Sequence, residues 1–125
     1  MDARRQVGQT GEEMAVEFLT GLGWTILDRN WRHGRLGELD LVALEPAPDG
    51  SATVVFCEVK TRRGLGFGDP LEALTVAKLA RLRRLALAWL AQHERSARRI
   101  RIDALGVLCR PGQPPQIRHA RAVAA

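Results

Sequence analysis

Three charged residues of this 125-residue chain stand where core-facing strands would rather have Val or Ile. Asp40 interrupts the apolar run Leu39-Asp40-Leu41-Val42-Ala43-Leu44, and Glu58-Val59-Lys60 closes the run Ala52-Thr53-Val54-Val55-Phe56-Cys57. Charges set among apolar neighbours are costly unless they are paired or used. Between the runs lies Glu45-Pro46-Ala47-Pro48-Asp49-Gly50, a segment of turn formers, so Gly37 to Arg62 predicts a β-hairpin with a longish loop. Side chains on a strand repeat every second residue, which puts Glu38, Asp40 and Val42 on one face and Phe56, Glu58, Lys60 and Arg62 on one face. If those faces match, two carboxylates and an ammonium converge at one end of the sheet. Two hard oxygen ligands with room left for water suit Mg²⁺ or Mn²⁺, ions that also bridge to substrate phosphate. Such an ion polarises the phosphoryl oxygen and lowers the pKa of a bound water, while Lys60 orients that water or steadies the developing charge. The chemistry expected is phosphodiester hydrolysis. Against it stands a plain same-face ion pair at a strand end, worth ~0.2–1 kcal/mol. Of the 19 basic residues only Lys60 and Lys78 are lysine, which favours a requirement for a compact ammonium at position 60.

The elements that must position these groups are legible to different degrees. Thr10-Gly11-Glu12-Glu13 is a capping box, and Ala15, Phe18, Leu19 and Leu22 recur at helical spacing, so a helix is expected from there to Gly21 and Gly23. Glu13 belongs to the cap. Glu12 lies at the N-terminal end of the inward stripe, either as a third carboxylate at the rim of the site or as a first-turn charge on the helix dipole. Trp24 to Arg29 predicts a short edge strand, and Asn30-Trp31-Arg32-His33-Gly34-Arg35 a basic loop that carries Arg32 and Arg35 towards the metal for phosphate positioning. After Lys60, the alternating glycines of Thr61-Arg62-Arg63-Gly64-Leu65-Gly66-Phe67-Gly68 read as a flap or a connector. A nucleotide loop is disfavoured, because no Gly-Lys-Ser/Thr follows and Asp69-Pro70-Leu71-Glu72 brings acids to the next helix start. Pro70 to about Glu94 is expected to be helical, with a break near Thr75 and a core stripe of Leu79, Leu82, Ala86 and Trp89. Lys78, Arg81 and Arg84 follow every third residue, a ridge that either tracks a phosphate backbone or is a solvated face. Arg99 to Leu108 predicts a strand with Ile100 and Ile102 inward and Arg101 paired with Asp103 on the other face, followed by a last strand around Gln116 to Ala120.

The chain is the length of one domain, 1–125, with the apolar and charged fractions of a globular protein. No window approaches a membrane span and no apolar segment follows the basic start, so a cytoplasmic, membrane-free protein is expected. Cys57 and Cys109 fall on separate strands without Cys-x-x-Cys spacing and read as small core residues. Net charge +5 suits a polyanionic partner, although an Arg-rich, Lys-poor composition can also reflect a GC-rich genome.

The order helix, strand, Asp-bearing strand, Glu-x-Lys strand, helix, strand resembles the restriction-endonuclease-like core, an α/β fold with a mixed central sheet flanked by helices. A closer resemblance covers nearly the whole chain. Gly11-Glu12-Glu13-Met14-Ala15, Asn30-Trp31-Arg32, Gly37-Glu38-Leu39-Asp40-Leu41-Val42, Phe56-Cys57-Glu58-Val59-Lys60-Thr61-Arg62, Lys78 and Arg101-Ile102-Asp103 stand as in the small bacterial YraN-like family. That family of predicted endonucleases is distantly similar to archaeal Holliday junction resolvases. The resemblance implies Asp40 and Glu58 as metal ligands, Lys60 as the catalytic lysine and Glu12 as a carboxylate near the metal. Cys57 and Ile102 replace residues that are often Val and Phe there, conservative changes. The expectation is a metal-dependent endonuclease acting on DNA, branched DNA included, with Arg32, Arg35, Arg62, Lys78, Arg81 and Arg84 on nucleic acid and room for a homodimer. The alternative is a nucleic-acid binding module whose cleavage is weak, partner-dependent or absent.

Overall fold

The two apolar runs around Asp40 and Glu58 become β2 (Gly37–Pro46) and β3 (Ala52–Arg63), paired antiparallel across the turn-forming segment as their composition predicts. With β1 (Thr25–His33), β4 (Ile100–Cys109) and β5 (Gln116–Ala124) they form one mixed five-stranded sheet in chain order. β3 and β4 run parallel and the other neighbours antiparallel. A parallel pair needs a crossover, and helix α2 (Val76–Gln92) lies in it, while α1 (Ala3–Gly21) precedes the sheet. The structure, a computed structural model, describes residues 3–63, 74–95, 97 and 99–124, including the side chains of all but 3–10 and 124. The glycine-rich segment 64–68 and the expected helix start at 69–72 lie outside the described residues.

Each face of the sheet is closed by one helix, so β2 and β3 are apolar on both sides over much of their length. On one face Ala15 and Leu19 of α1 pack with Trp24, Leu41, Ala43, Val55, Cys57 and Leu105. On the other, Leu82, Leu85, Ala86 and Trp89 of α2 pack with Leu39, Val42, Val54, Phe56 and Ile102. Both cysteines are free, and Cys57 is a buried core residue as expected. Among the described residues, no helix is long and apolar enough to cross a membrane.

Several boundaries differ from the sequence expectation. α1 begins at Ala3, so Thr10 is inside the helix and does not cap it. Ala, Arg and Gln in the preceding turns are good helix formers and let the helix run on towards the N-terminus. Its end is as expected: Gly23 has φ +90, Trp24 N–H reaches Leu19 O at 3.1 Å and Gly23 N–H reaches Thr20 O at 2.9 Å, a Schellman closure. Leu22, placed in the apolar stripe, is half-exposed because the helix has already ended. β1 extends through Asn30-Trp31-Arg32-His33, which was expected to be loop; Trp31 pairs with Leu39 and Arg32 with Glu38, leaving a single 3₁₀ turn, Gly34–Leu36, as the connection. α2 starts at Val76 under a Thr75 cap whose hydroxyl accepts the Lys78 N–H at 3.2 Å, which accounts for the break expected there. Leu85 joins its core stripe, Leu79 is only half-buried, and Ile100 is 45% exposed at the start of β4, not inward. β5 is longer than the short strand expected.

One carboxylate on the α1 face has no exposure at all: Asp103. It accepts Arg101 Nε at 2.7 Å and Nη2 at 2.9 Å and the Ala122 N–H at 2.9 Å, and His119 Nε2 lies 2.8 Å away. Arg101 Nη1 and Arg121 Nη2 each donate to Glu45 at 2.6 Å, and both guanidiniums lie against the Trp24 ring. The Arg101–Asp103 pairing is the one that strand periodicity predicts; its role is to tie β2, β4 and β5 together. Burial works against the Asp103 charge, but donors from Arg101, Ala122 and His119 outweigh it and hold the carboxyl below its ordinary pKa. That contribution is therefore present above the unfolded carboxylate range near pH 4 and is lost as pH falls through the lower folded value. Arg101→Ala should destabilise by about 2–3 kcal/mol in urea denaturation at pH 7, since Asp103 keeps two of its donors.

Candidate active site

The pairing of β2 with β3 ends at Leu41↔Cys57. Beyond that point β2 stays with β1 as far as Gly37↔His33, and β3 stays with β4 as far as Arg63↔Cys109. The two strands part at the step where Asp40 would face Glu58. The alternation of faces is also broken here: Leu39 and Val42 both enter the α2-side core, whereas Leu41 enters the other. Asp40 is thereby turned towards β3, and its Oδ2 accepts the Val59 N–H at 2.8 Å in place of a ladder carbonyl. Gly37, at φ +128, opens β2 in a conformation that side-chain-bearing residues rarely adopt.

The parting leaves a cleft of about 350 Å³ lined by Gly37, Glu38, Asp40 and Glu58 on the sheet side and Lys78, Arg81 and Leu82 on α2. Acids form one wall and bases the other. Burial, with the Glu58 charge next, pushes the Asp40 carboxyl up to about 7, against the Val59 N–H that favours its ionised form. Glu12 and Glu38 add to the push. Glu58 is also raised, by burial, with Lys60, Arg81 and Lys78 opposing. Both carboxyls of this crowded pair are therefore shifted towards holding a proton, Asp40 the more strongly.

The sequence-predicted residues fall into three groups. Asp40, Glu58, Lys78 and Arg81 share the cleft. Lys60 is half-buried on β3, on the Glu58 side of the strand, and acts on Glu58 through its charge, but it is not part of the cleft lining. Glu12 reaches Asp40 electrostatically from α1 without lining the cleft. Of the other arginines, Arg32 on β1, Arg35 in the 3₁₀ turn and Arg84 on α2 are exposed, and Arg62 on β3 is half-buried. At three-residue spacing each step along a 3.6-residue helix drifts in one direction, so Lys78 and Arg81 face the cleft and Arg84 has turned away.

Two residues that hold Glu12 in place carried no such assignment from sequence. Asn30 adopts φ 50 within β1, opposite Asp40 between the pairs Arg29↔Leu41 and Trp31↔Leu39, and its Nδ2 donates to Glu12 Oε2 at 3.2 Å. Asn tolerates this left-handed conformation better than most residues, but a stretch that reads as loop does not announce it inside a strand opposite Asp40. Gly11 is the second: a Cβ there would meet Thr61 Oγ1 at 2.1 Å and Thr61 Cβ at 3.2 Å. Only a bare Cα lets α1 approach β3 this closely and bring Glu12 to the site. Gly11→Ala should cost about 1–3 kcal/mol through this overlap, and Thr61→Ala in the same chain should recover much of the loss, as read by thermal melting of both variants.

Two carboxylates in one cleft, both pushed up chiefly by burial, form a donor set that fits a divalent cation with water or phosphate completing its shell. Among the described residues, no group of three or more His, Cys, Asp or Glu side chains is drawn together as a metal cage.

The comparison with known proteins bears on the whole of this arrangement. Residues 11–107, from the Gly11 contact through Asp40, Glu58 and Lys60 into β4, match the model of the uncharacterised protein family UPF0102. The chain belongs to the UPF0102 family. A UPF0102 protein of Nocardia farcinica is 49% identical over 120 residues, 96% of this chain and 90% of its own length. One from Streptomyces coelicolor is 49% identical over 125 residues, covering 99% of this chain and 92% of the relative. One from Mycobacterium marinum is 48% identical over 120 residues, 96% and 95% of the two chains. UPF0102 is the family that the YraN-like resemblance of Gly11 to Asp103 points to, and the match spans nearly all of those motifs.

Proposed function

We propose that this UPF0102 protein is a divalent-metal-dependent endonuclease that hydrolyses phosphodiester bonds in DNA, on a restriction-endonuclease-like core. The observation that carries the reading is the parting of β2 and β3 at Asp40 and Glu58, which puts two mutually destabilising carboxylates in one cleft opposite Lys78 and Arg81. A fold keeps such an arrangement against its own stability when the pair has work to do. Asp40 and Glu58 would hold Mg²⁺ or Mn²⁺, an ion that supplies Lewis acidity towards phosphoryl oxygen and acidifies water. Lys78 and Arg81 bind the phosphates from the far wall, so the strand enters between α2 and the open end of the sheet. Lys60, a compact ammonium beside Glu58, orients the attacking water or offsets charge that develops on the phosphate. Glu12, held by Asn30, adds negative potential behind Asp40. Exposed Arg32 and Arg35 extend the phosphate-binding surface, and net charge +5 favours the encounter.

A DNA-binding module whose cleavage is weak, partner-dependent or absent is the second reading, favoured by the Lys78 and Arg81 wall and the net charge of +5, which serve binding without chemistry. Four-way branched and linear duplex DNA, each incubated with Mg²⁺, Mn²⁺ or EDTA, separate the two. Product in the metal arms and none in EDTA supports the nuclease. DNA bound in all arms with no product supports the binding module, and no binding to either DNA defeats both.

A further inference from the structure

A row of rings runs along the α2 side of the sheet and ends in the open. Phe56 meets Trp89 edge-on at 5.8 Å, Trp89 stacks on His93 at 4.3 Å, His93 meets Trp31 edge-on at 6.0 Å, and Trp31 stacks on His33 at 5.2 Å and 14°. The inner members are fixed. Trp89 Nε1 donates to Asp28 Oδ2 at 2.9 Å, Trp89 is buried, and Trp31 packs against the core. The outer member is different: His33 rests one ring face on Trp31 and is exposed, at the last pair of β1 with β2. Its partner in that pair is Gly37, which lines the acidic cleft, and exposed Arg32 and Arg35 flank it in the chain.

We infer that the Trp31–His33 stack is a platform for an unpaired nucleobase of the DNA strand that enters the cleft. The geometry is that of a base-stacking site: an exposed planar ring, backed by a second ring 14° from parallel, with exposed arginines close by in the chain to reach phosphates. An intact duplex hides its base faces and offers only edges and backbone. A base face becomes available at a bulge, branch point or flipped position, so the platform selects DNA with unpaired bases. This deepens the substrate class and rests on the DNA reading above.

The test uses the full chain in EDTA, with a fully paired duplex and the same duplex carrying a single bulged 2-aminopurine. The parent should bind the bulged DNA more tightly and quench its fluorescence. His33→Ala should reduce that preference on the order of ten-fold and relieve the quench, while binding to the paired duplex, an internal check on folding, stays the same. His33→Phe, which keeps a planar ring without the imidazole nitrogens, should retain both preference and quench. Equal affinity of the parent for the two duplexes, an Ala variant that keeps the preference, or a Phe variant that loses it would each overturn the platform while leaving DNA binding intact. Failure of the parent to bind either DNA would instead remove the DNA reading on which the platform rests.

Discussion

Lys60→Ala should lower metal-dependent DNA cleavage by about two to three orders of magnitude, the usual effect of removing one preorganised charge-stabilising donor, and leave DNA affinity within a few-fold. The asymmetry follows from where Lys60 sits. On the proposed reading, phosphate contacts in the cleft would come from Lys78 and Arg81, which line it, whereas Lys60 acts on Glu58 and is absent from the lining. Removing its charge also removes the strongest of the charges that hold Glu58 down, so the Glu58 carboxyl should rise further and the ascending limb of the pH–rate profile should move to higher pH. Lys60→Arg should rescue little, because a planar fork does not replace a compact ammonium in a half-buried position. Single-turnover cleavage and filter binding on the same DNA read both quantities. A Lys60→Ala protein that cleaves as fast as the parent would remove this residue from the chemistry.

The second large effect is on stability. Asp40→Asn should stabilise the metal-free protein at pH 8 and leave it nearly unchanged at pH 4. The folded carboxyl is raised from 3.8 to about 7, chiefly by burial and by Glu58. Between those values the folded chain holds a proton that the unfolded chain has released, so stability is full below the unfolded pKa and falls as pH rises through the folded one. A shift of that size corresponds to about 4 kcal/mol at most, and the Asn variant, which can still accept the Val59 N–H, should not lose it. Millimolar Mn²⁺ should act in the opposite sense, raising the parent's melting temperature as RT ln(1 + [L]/Kd), with most of that gain missing in the variant. An Asp40 kept only for its hydrogen bond predicts the reverse: a loss of ~1–3 kcal/mol on substitution and no response to metal in either protein. Melting curves at pH 4 and pH 8, with EDTA and with Mn²⁺, distinguish the two.

Sequence by itself determined the elements and the identity of the charged residues. Turn formers between two apolar runs dictate the hairpin, helical spacing dictates Ala15 and Leu19 as core, and period two dictates the Arg101–Asp103 pair. These are local rules, set by backbone geometry and burial, and they survive into the fold. Period two also places Glu58 and Lys60 on one side of β3. It does not place Asp40, because the alternation breaks between Leu39 and Val42, at the point where β2 parts from β3 while staying paired with β1. Trp31 and His33 reach the sheet edge by a similar route: a basic, Asn- and Gly-containing stretch reads as loop, yet pairing with Leu39 and Gly37 holds it as strand. The approach of Glu12 depends on a missing Cβ at Gly11 and a left-handed Asn30, contacts between residues far apart in the chain. Local periodicity can say which side chains are charged and roughly which way they point. Only the packing of α1 and α2 against the two faces, and the parting of two strands between them, decided that these charges meet.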